Sequence, residues 1–405
     1  MKRKILFFNQ CREIGGTDTF LVNLLRSWPD PNDELFIESN ADHKGRHFYQ
    51  GISLKYGDVR FPTLQVIFER IEQMNAPKLL KRLLRLLTFI AKPLIFAASI
   101  IYFYVRLLPQ SPDVVFSSNG GYPAGELCLA IVIAAKLAGV KKVFLIVHSA
   151  AQEPKFPFVL WERLVVDRLV LISCSEIISV SKSCAQQVER ARKFDRKLKV
   201  IYNGIPQDKN SVPTLEAKRK VLKLSPDNKV IGAIGDYEEL KGHAYLVQAF
   251  DRVKAKFPEA KLILIGSSAS PYFLELKRII ERSPNRGNIT LTGYLSEARN
   301  YVECFDLLVQ PSIAYEGFGL ALLEAMLYKK PVIGTSVGGI PEVIGDAGYI
   351  VEPKNSKQLA EKIIDLLEDP GKAGRLGEKG FQRLRENFSA NVMAGKYYAI
   401  CGEKK

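Results

Sequence analysis

Glu316 and Glu324 stand eight residues apart, with a glycine turn and the start of an apolar segment between them. A carboxylate accepts hydrogen bonds from hydroxyl groups, whereas the unpaired amides at the start of a helix attract an anion. Val309 closes an apolar run, Tyr315 to Gly319 reads as a turn, and the spacing predicts a helix over Leu320 to Tyr328. The free amides are then those near Phe318, Gly319 and Leu320. Glu316 lies before them and Glu324 about a turn and a half after the helix begins, at ~1.5 Å per residue. Hydroxyls, anion, hydroxyls is the order of groups along a nucleotide sugar: sugar, diphosphate, ribose. The same two acids also fit an ordinary helix that turns both of them to water.

The neighbours favour the first reading. Pro311-Ser312 precedes the pair, and Lys330-Pro331-Val332-Ile333 and Gly338-Gly339-Ile340-Pro341-Glu342 follow it. From Pro311 to Ile344 the run resembles the Glu-x7-Glu region of the family 4 retaining glycosyltransferases. That resemblance implies the GT-B architecture: an α/β chain of two Rossmann-like domains whose parallel sheets face each other across a cleft. It also implies a nucleotide-diphosphate-sugar donor and no cofactor. Glu316 would orient the donor sugar's hydroxyls as a catalytic residue, Glu324 would hold the ribose, and the amides at Phe318, Gly319 and Leu320 would hold phosphate and sugar.

Three other places extend the resemblance, and each has a physical reason. Gly15-Gly16 follows the first apolar run and precedes a helix beginning near Asp18, so Gly16 lets a ligand approach the backbone closely. His148 ends the strand-like run Lys142 to Val147, where the family's histidine contacts the donor sugar. Within Gly235-Asp-Tyr-Glu-Glu-Leu-Lys241-Gly242-His243, the Lys241 ammonium would neutralise the diphosphate as the sugar leaves. Many relatives carry an arginine where this chain has Asp236. A carboxylate about 4 Å from a diphosphate costs on the order of 4 kcal/mol at an effective dielectric of 20, so Asp236 is expected to point elsewhere. Arg12 and Lys182 are candidate replacement cations.

The elements that position these residues are legible as alternation. Strand-like runs at Ile5 to Phe8, Asp113 to Ser117, Lys142 to Val147, Ile177 to Val180 and Val200 to Tyr202 alternate with helical ones. The series continues at Val230 to Ile234, Leu262 to Ile265, Asn288 to Leu291, Asp306 to Val309 and Val332 to Gly334. Such alternation implies parallel sheets covered by helices. It pauses at Asn203-Gly204-Ile205-Pro206 and the polar stretch after it, which reads as a domain boundary. The expected domains are 1–204, joined by a C-terminal helix over 385–405 that the resemblance carries back to the first domain, and 205–384.

The 405 residues are 47% hydrophobic, enough for two cores, with 58 basic and 43 acidic residues and a formal net charge of +15. Between Gln73 and Pro112 there is no acid, and Lys78, Lys81, Arg82 and Arg85 share one helical face. Leu79, Leu83, Leu86, Leu87 and Ile90 make the opposite face, a pattern suited to an anionic membrane surface; the alternative is a core helix with a solvated charged face. The apolar run Pro93 to Leu108 is held to roughly a dozen uninterrupted residues by Lys92, Pro93 and Arg106, short of the ~20 needed to span. No nucleic-acid motif accompanies the charge. Six scattered cysteines and four histidines show no metal-ligand spacing, and no Asp-x-Asp occurs, so metal-independent turnover in a reducing cytoplasm is expected. The acceptor implied by the basic segment is a lipid-linked saccharide at the inner face of a bacterial membrane, in surface polysaccharide or lipopolysaccharide assembly. A non-catalytic member of a polysaccharide-assembly complex and a sugar-nucleotide epimerase are the rival readings.

Overall fold

The computed structural model describes residues 2–12, 15–123, 125–153, 161–194, 197–208, 214–295 and 297–402. Part of the polar stretch after Pro206 and the last three residues of the expected terminal helix lie outside them. The chain divides into two compact units, residues 1–201 with 394–405 and residues 202–393.

The first unit is built on seven strands: β1 (Lys4–Asn9), β2 (Glu34–Asn40), β3 (Lys55–Val59), β4 (Val114–Asn119), β5 (Lys142–Val147), β6 (Glu176–Ser179) and β7 (Leu198–Val200). They pair in the order β3-β2-β1-β4-β5-β6-β7, every pair parallel. Helices cover a parallel sheet on both faces, which is why β1 and β5 read as nearly continuous apolar runs with almost every residue buried; β4 is wholly buried too, with Ser117, Ser118 and Asn119 at its end. β2 and β3 escape that signal. β2 ends in Glu38, Ser39 and Asn40, and β3 is the edge sequence Lys-Tyr-Gly-Asp-Val. Glu38 is buried yet satisfied, because Arg106 Nε at 3.0 Å and Gln110 Nε2 at 2.9 Å donate to it.

Two helices of this unit differ sharply from the rest. Lys78–Ile90 buries no side chain at all. Lys92–Gln110 is one helix, longer than its uninterrupted apolar run: Pro93 sits in its first turn, where a missing N–H costs nothing, so it starts the helix and does not break it. Phe96, Ser99, Phe103 and Leu107 are buried on one face, while Leu94, Ile101, Val105 and Leu108 are exposed on another. By length and composition this helix could cross a membrane, with a mean hydropathy of 1.3 over its best window and 22% of that window buried.

The second unit repeats the plan with β8 (Val230–Ile234), β9 (Lys261–Ile265), β10 (Ile289–Leu291), β11 (Leu307–Gln310), β12 (Val332–Thr335) and β13 (Gly348–Val351). The order is β10-β9-β8-β11-β12-β13, again all parallel. Gly232 lies inside β8 because Phe305 packs where its side chain would be: a Cβ there would meet the ring at 2.1 Å. The C-terminal segment, expected as one helix over 385–405, is two helices, Pro370–Asn387 and Ala390–Ile400. The break at Phe388-Ser389 lets Ile205 N–H donate to Phe388 O and Ala390 N–H to Ile205 O. From Ala394 on the residues belong to the first unit, where Tyr397 packs edge-on against Phe20 and Phe116.

Candidate functional site

In both sheets the strand order reverses beside a central pair, β1/β4 and β8/β11. In open parallel sheets ligands bind beyond the carboxyl ends of the strands at such a reversal. The loops leaving β8 and β11 carry Lys241 and Glu316, and these meet. Lys241 Nζ lies 2.8 Å from Glu316 Oε2. Burial acts to lower the Lys241 pKa, but the charge and hydrogen bond of Glu316 outweigh it, so the ammonium is held above its ordinary value.

Glycines explain how two loops come so close. Gly242 has a left-handed φ of +70°, and a Cβ on it would lie 2.0 Å from Pro311 O, so the turn after Lys241 docks directly on the backbone leading to Glu316. Ile313 N–H donates to Leu240 O at 2.9 Å across the same junction. On the far side Gly338 would place a Cβ 1.9 Å from Glu316 O, and Gly339 N–H donates to that oxygen at 2.9 Å. The Gly-Gly-Ile-Pro sequence thus braces the turn from behind.

The helix after this turn is Leu320–Leu327, one residue shorter than expected, with Gly319 at its N-cap in the left-handed region at φ +103°. No side chain caps it, which leaves its first amides for a ligand. Phe318 is buried and does structural work as well, its ring packing against Tyr202 and Phe388 at 5.9 and 5.7 Å. Glu324 sits partly exposed one turn into the helix. No hydrogen bond to its carboxylate is found among the described residues, and burial pushes its carboxyl up to about 7, with nearby Arg299 opposing that shift.

Asp236 is turned aside. Its Oδ1 accepts the Ser267 N–H at 3.2 Å, in a junction where a Cβ on Gly266 would sit 2.0 Å from Gly235 O. His243, which the sequence reading did not single out, is buried with Nε2 3.2 Å from Gly235 O, and burial lowers its pKa to about 4. A neutral ring donating from Nε2 pins the loop that carries Asp236. Arg12, a candidate replacement cation, is committed to Asp42 at 2.6 Å and Glu69 at 2.8 Å. Lys182 opens the Lys182–Arg192 helix of the first unit.

In the first unit Gly16 begins the Gly16–Arg26 helix, and a Cβ there would meet nothing within 4 Å. Neither φ nor packing demands a glycine at this position, so its effect is to leave the backbone bare. Phe20 of that helix packs edge-on against the His148 ring at 4.5 Å, so the helix that Gly16 begins contacts His148 through Phe20. Burial lowers the His148 pKa to about 3, so the ring is neutral, with Nε2 3.0 Å from Ser118 Oγ.

Cys11, Asp18 and His43 gather donor atoms within 4.8 Å of one another, a grouping that the scattered sequence positions concealed. Its chemistry is that of a buried hydrogen-bond hub. Asp18 accepts from Tyr49 OH at 3.0 Å and Gly15 N–H at 3.1 Å, its Oδ1 lies 3.1 Å from His43 Nε2, and burial pushes the Cys11 thiol up to about 12.

Of the four bases predicted to face lipid, two are engaged by the end of the Leu64–Gln73 helix. Lys81 donates to Glu72 O at 2.5 Å and Arg85 pairs with the Glu72 carboxylate at 2.6 Å. Lys78 and Arg82 make no ion pair among the described residues, and Leu79 is 78% exposed.

Comparison with known proteins bears on the fold and the family of sequences it resembles. Residues 215–383 fit the family model for glycosyl transferases group 1. Among solved structures, a glycosyltransferase from Rickettsia africae superposes with a TM-score of 0.78 at 20% identity, covering 99% of this chain and 98% of that one. Anabaena HepE in complex with UDP-glucose superposes at 0.75, also 20% identical, with 98% of both chains covered. The fold is GT-B. Among curated relatives, the capsular polysaccharide biosynthesis glycosyltransferase CapM of Staphylococcus aureus is 29% identical over 240 residues, 56% of this chain and 61% of CapM. The N-acetyl-alpha-D-glucosaminyl L-malate synthase of Bacillus anthracis is 28% identical over 226 residues, 55% of this chain and 58% of that enzyme. The matched region spans about three fifths of the length of these relatives.

Proposed function

We propose that the chain is a retaining, metal-independent glycosyltransferase of the family 4 type. It moves a sugar from a nucleotide-diphosphate-sugar donor to a lipid-linked saccharide in bacterial surface polysaccharide assembly. The observation that carries the reading is the pairing of Lys241 with Glu316 at the mouth of the uncapped Leu320–Leu327 helix, at the point where the strand order reverses.

In this reading the amides at Phe318, Gly319 and Leu320 and the Lys241 ammonium hold the diphosphate, Glu316 takes donor-sugar hydroxyls, and Glu324 takes the ribose. The bond from the anomeric carbon to the phosphate oxygen breaks and its electron pair stays on the phosphate. The acceptor oxygen bonds to the same face of that carbon, and its proton passes to the departing phosphate, so no separate protein base is required. Fixed positive charge facing the leaving group stabilises the step, a contribution typically worth ~10²–10³ in kcat per group. Gly16 and His148 remain candidates for donor contact on the family resemblance alone. Asp236, bonded to Ser267, leaves Lys241 and the helix amides as the principal counter-charges for the diphosphate.

The Lys78–Ile90 helix supports attachment to the inner face of the membrane. It has basic Lys78 and Arg82 on one side, open leucines on the other and no acid within it, and the exposed Leu94 and Ile101 of the following helix add apolar surface. The test is a panel of nucleotide-diphosphate sugars offered with lipid-extract acceptors, with and without chelator. Mass spectrometry should show one sugar added, chelator-resistant, with the donor's anomeric configuration kept. No transfer from any donor, or an inverted linkage, would contradict the proposal.

A further inference from the structure

Strand β11 reads Leu-Leu-Val-Gln, and the whole strand is buried, Gln310 included. An amide buried at the end of an apolar strand costs free energy unless its groups are paired. Gln310 is only half paired. Its Nε2 donates to Glu316 Oε2 at 2.8 Å, while its Oε1 is buried without a partner and so carries an uncompensated desolvation cost. A fold that keeps such a defect where an apolar residue would pack is using the amide's other end.

That end meets a crowded oxygen. Glu316 Oε2 accepts from Lys241 Nζ at 2.8 Å, from Gln310 Nε2 at 2.8 Å and from Ser312 Oγ at 3.3 Å. Thr335 Oγ1 donates to Ser312 O at 2.6 Å and fixes the loop bearing that hydroxyl. All three side-chain donors converge on Oε2; no donor reaches Oε1 of Glu316 among the described residues. Gly319 completes the arrangement, since a Cβ on it would come within 3.2 Å of Gln310 Oε1.

We propose that Gln310, helped by Ser312, is a positioning residue that clamps one oxygen of Glu316 beside Lys241 and so presents the other oxygen to a ligand hydroxyl. The inference rests on the transferase reading for the identity of that hydroxyl, a donor-sugar hydroxyl, but not for the clamp itself. Two charged groups alone could rotate about each other. A neutral planar donor locked in a strand fixes the carboxylate's rotation without adding charge beside the diphosphate.

The discriminating variant is Gln310→Glu, nearly the same shape with the amide donor removed. When the introduced carboxyl is protonated, its O–H replaces the amide N–H; when it is ionised, two carboxylates compete for Lys241. In ligand-free protein, the thermal midpoint of Gln310→Glu relative to wild type should therefore fall as pH rises from about 5 to about 8. The Gln310→Glu/Glu316→Gln double variant should lose that slope. In turnover with the donor found active in the panel, Gln310→Glu should match wild type within a few fold near pH ~5.5 and fall at least about tenfold further by pH ~8, mainly in kcat. Ser312→Ala should cost a few fold at every pH. A Gln310→Glu protein whose midpoint and turnover track wild type across pH would overturn the clamp. Should wild type transfer no sugar, the transferase reading falls, and the ligand-free slope still decides whether Gln310 holds Glu316.

Discussion

Glu316 and Glu324 flank one short helix start, yet their surroundings are opposite. Glu316 is braced by a cation, an amide and a hydroxyl on a single oxygen. Glu324 has no such bracing among the described residues, and burial, against the opposing charge of Arg299 and with a smaller push from Glu297, lifts its carboxyl to about 7. The difference shows that two identical side chains in one motif can be prepared in different ways. One is held by three donors in the ligand-free protein. The other is partly exposed, and in the proposed reading its carboxylate would take ligand hydroxyls.

Three experiments can break this contrast. Glu316→Ala should have the largest effect, lowering turnover about 10²–10³-fold with the fold intact by circular dichroism; equal losses from Glu324→Ala would erase the distinction between the two. Next, Lys241→Ala should lower turnover about 10²-fold, whereas moderate ionic strength should change wild-type turnover little, because the pair is partly buried and poorly screened.

The third concerns stability. Because the Glu324 carboxyl is raised in the folded state from 4.5 to about 7, its contribution is most favourable below pH 4.5 and is lost as pH rises through 7. Unfolding by urea should find Glu324→Gln gaining on wild type by about 2 kcal/mol between pH ~4.5 and ~8, a discounted value for a partly exposed group at ~1.4 kcal/mol per pH unit. A flat difference would mean that Glu324 is ionised and paired from the start.

A second contrast, between helices, carries the smallest effect on folding. Leu320–Leu327 buries five of its eight side chains, Lys78–Ile90 none. Leu83→Ser should therefore change stability by no more than about 0.5 kcal/mol. The same change should weaken flotation with anionic liposomes several-fold, and flotation that ignores both Leu83→Ser and Arg82→Glu would remove this helix from lipid.

What could be read from the chain and what could not follows from the range of the interactions. Apolar runs such as Leu262 to Ile265 announced the parallel sheets because both their faces are covered. Edge strands such as Lys55–Val59 did not, since one side is open and the sequence is polar there. Glu316, Lys241 and the glycines were legible as candidates because they sit in short loops after strands. The clamp was not. Gln310, 69 residues from Lys241, joins it only through strand pairing, and an amide in a strand carries no signal of its own. Asp236 illustrates the same limit: the sequence raised the conflict with a phosphate, and only its bond to Ser267 shows where the carboxylate goes. Likewise Cys11, Asp18 and His43 are a buried hub whose members are too far apart in the chain to suggest one another.

The central claim, two acids with different preparations around one donor, is tested most directly by calorimetry of nucleotide-sugar binding at pH ~6 and pH ~8 in wild type, Glu316→Gln and Glu324→Gln. A carboxyl titrating near 7 that must be ionised to accept ribose hydroxyls makes wild-type binding about tenfold tighter at the higher pH. Glu324→Gln should lose that dependence, whereas Glu316→Gln should bind more weakly at both pH values and keep the full slope. A slope that survives Glu324→Gln, or disappears with Glu316→Gln, would contradict the account.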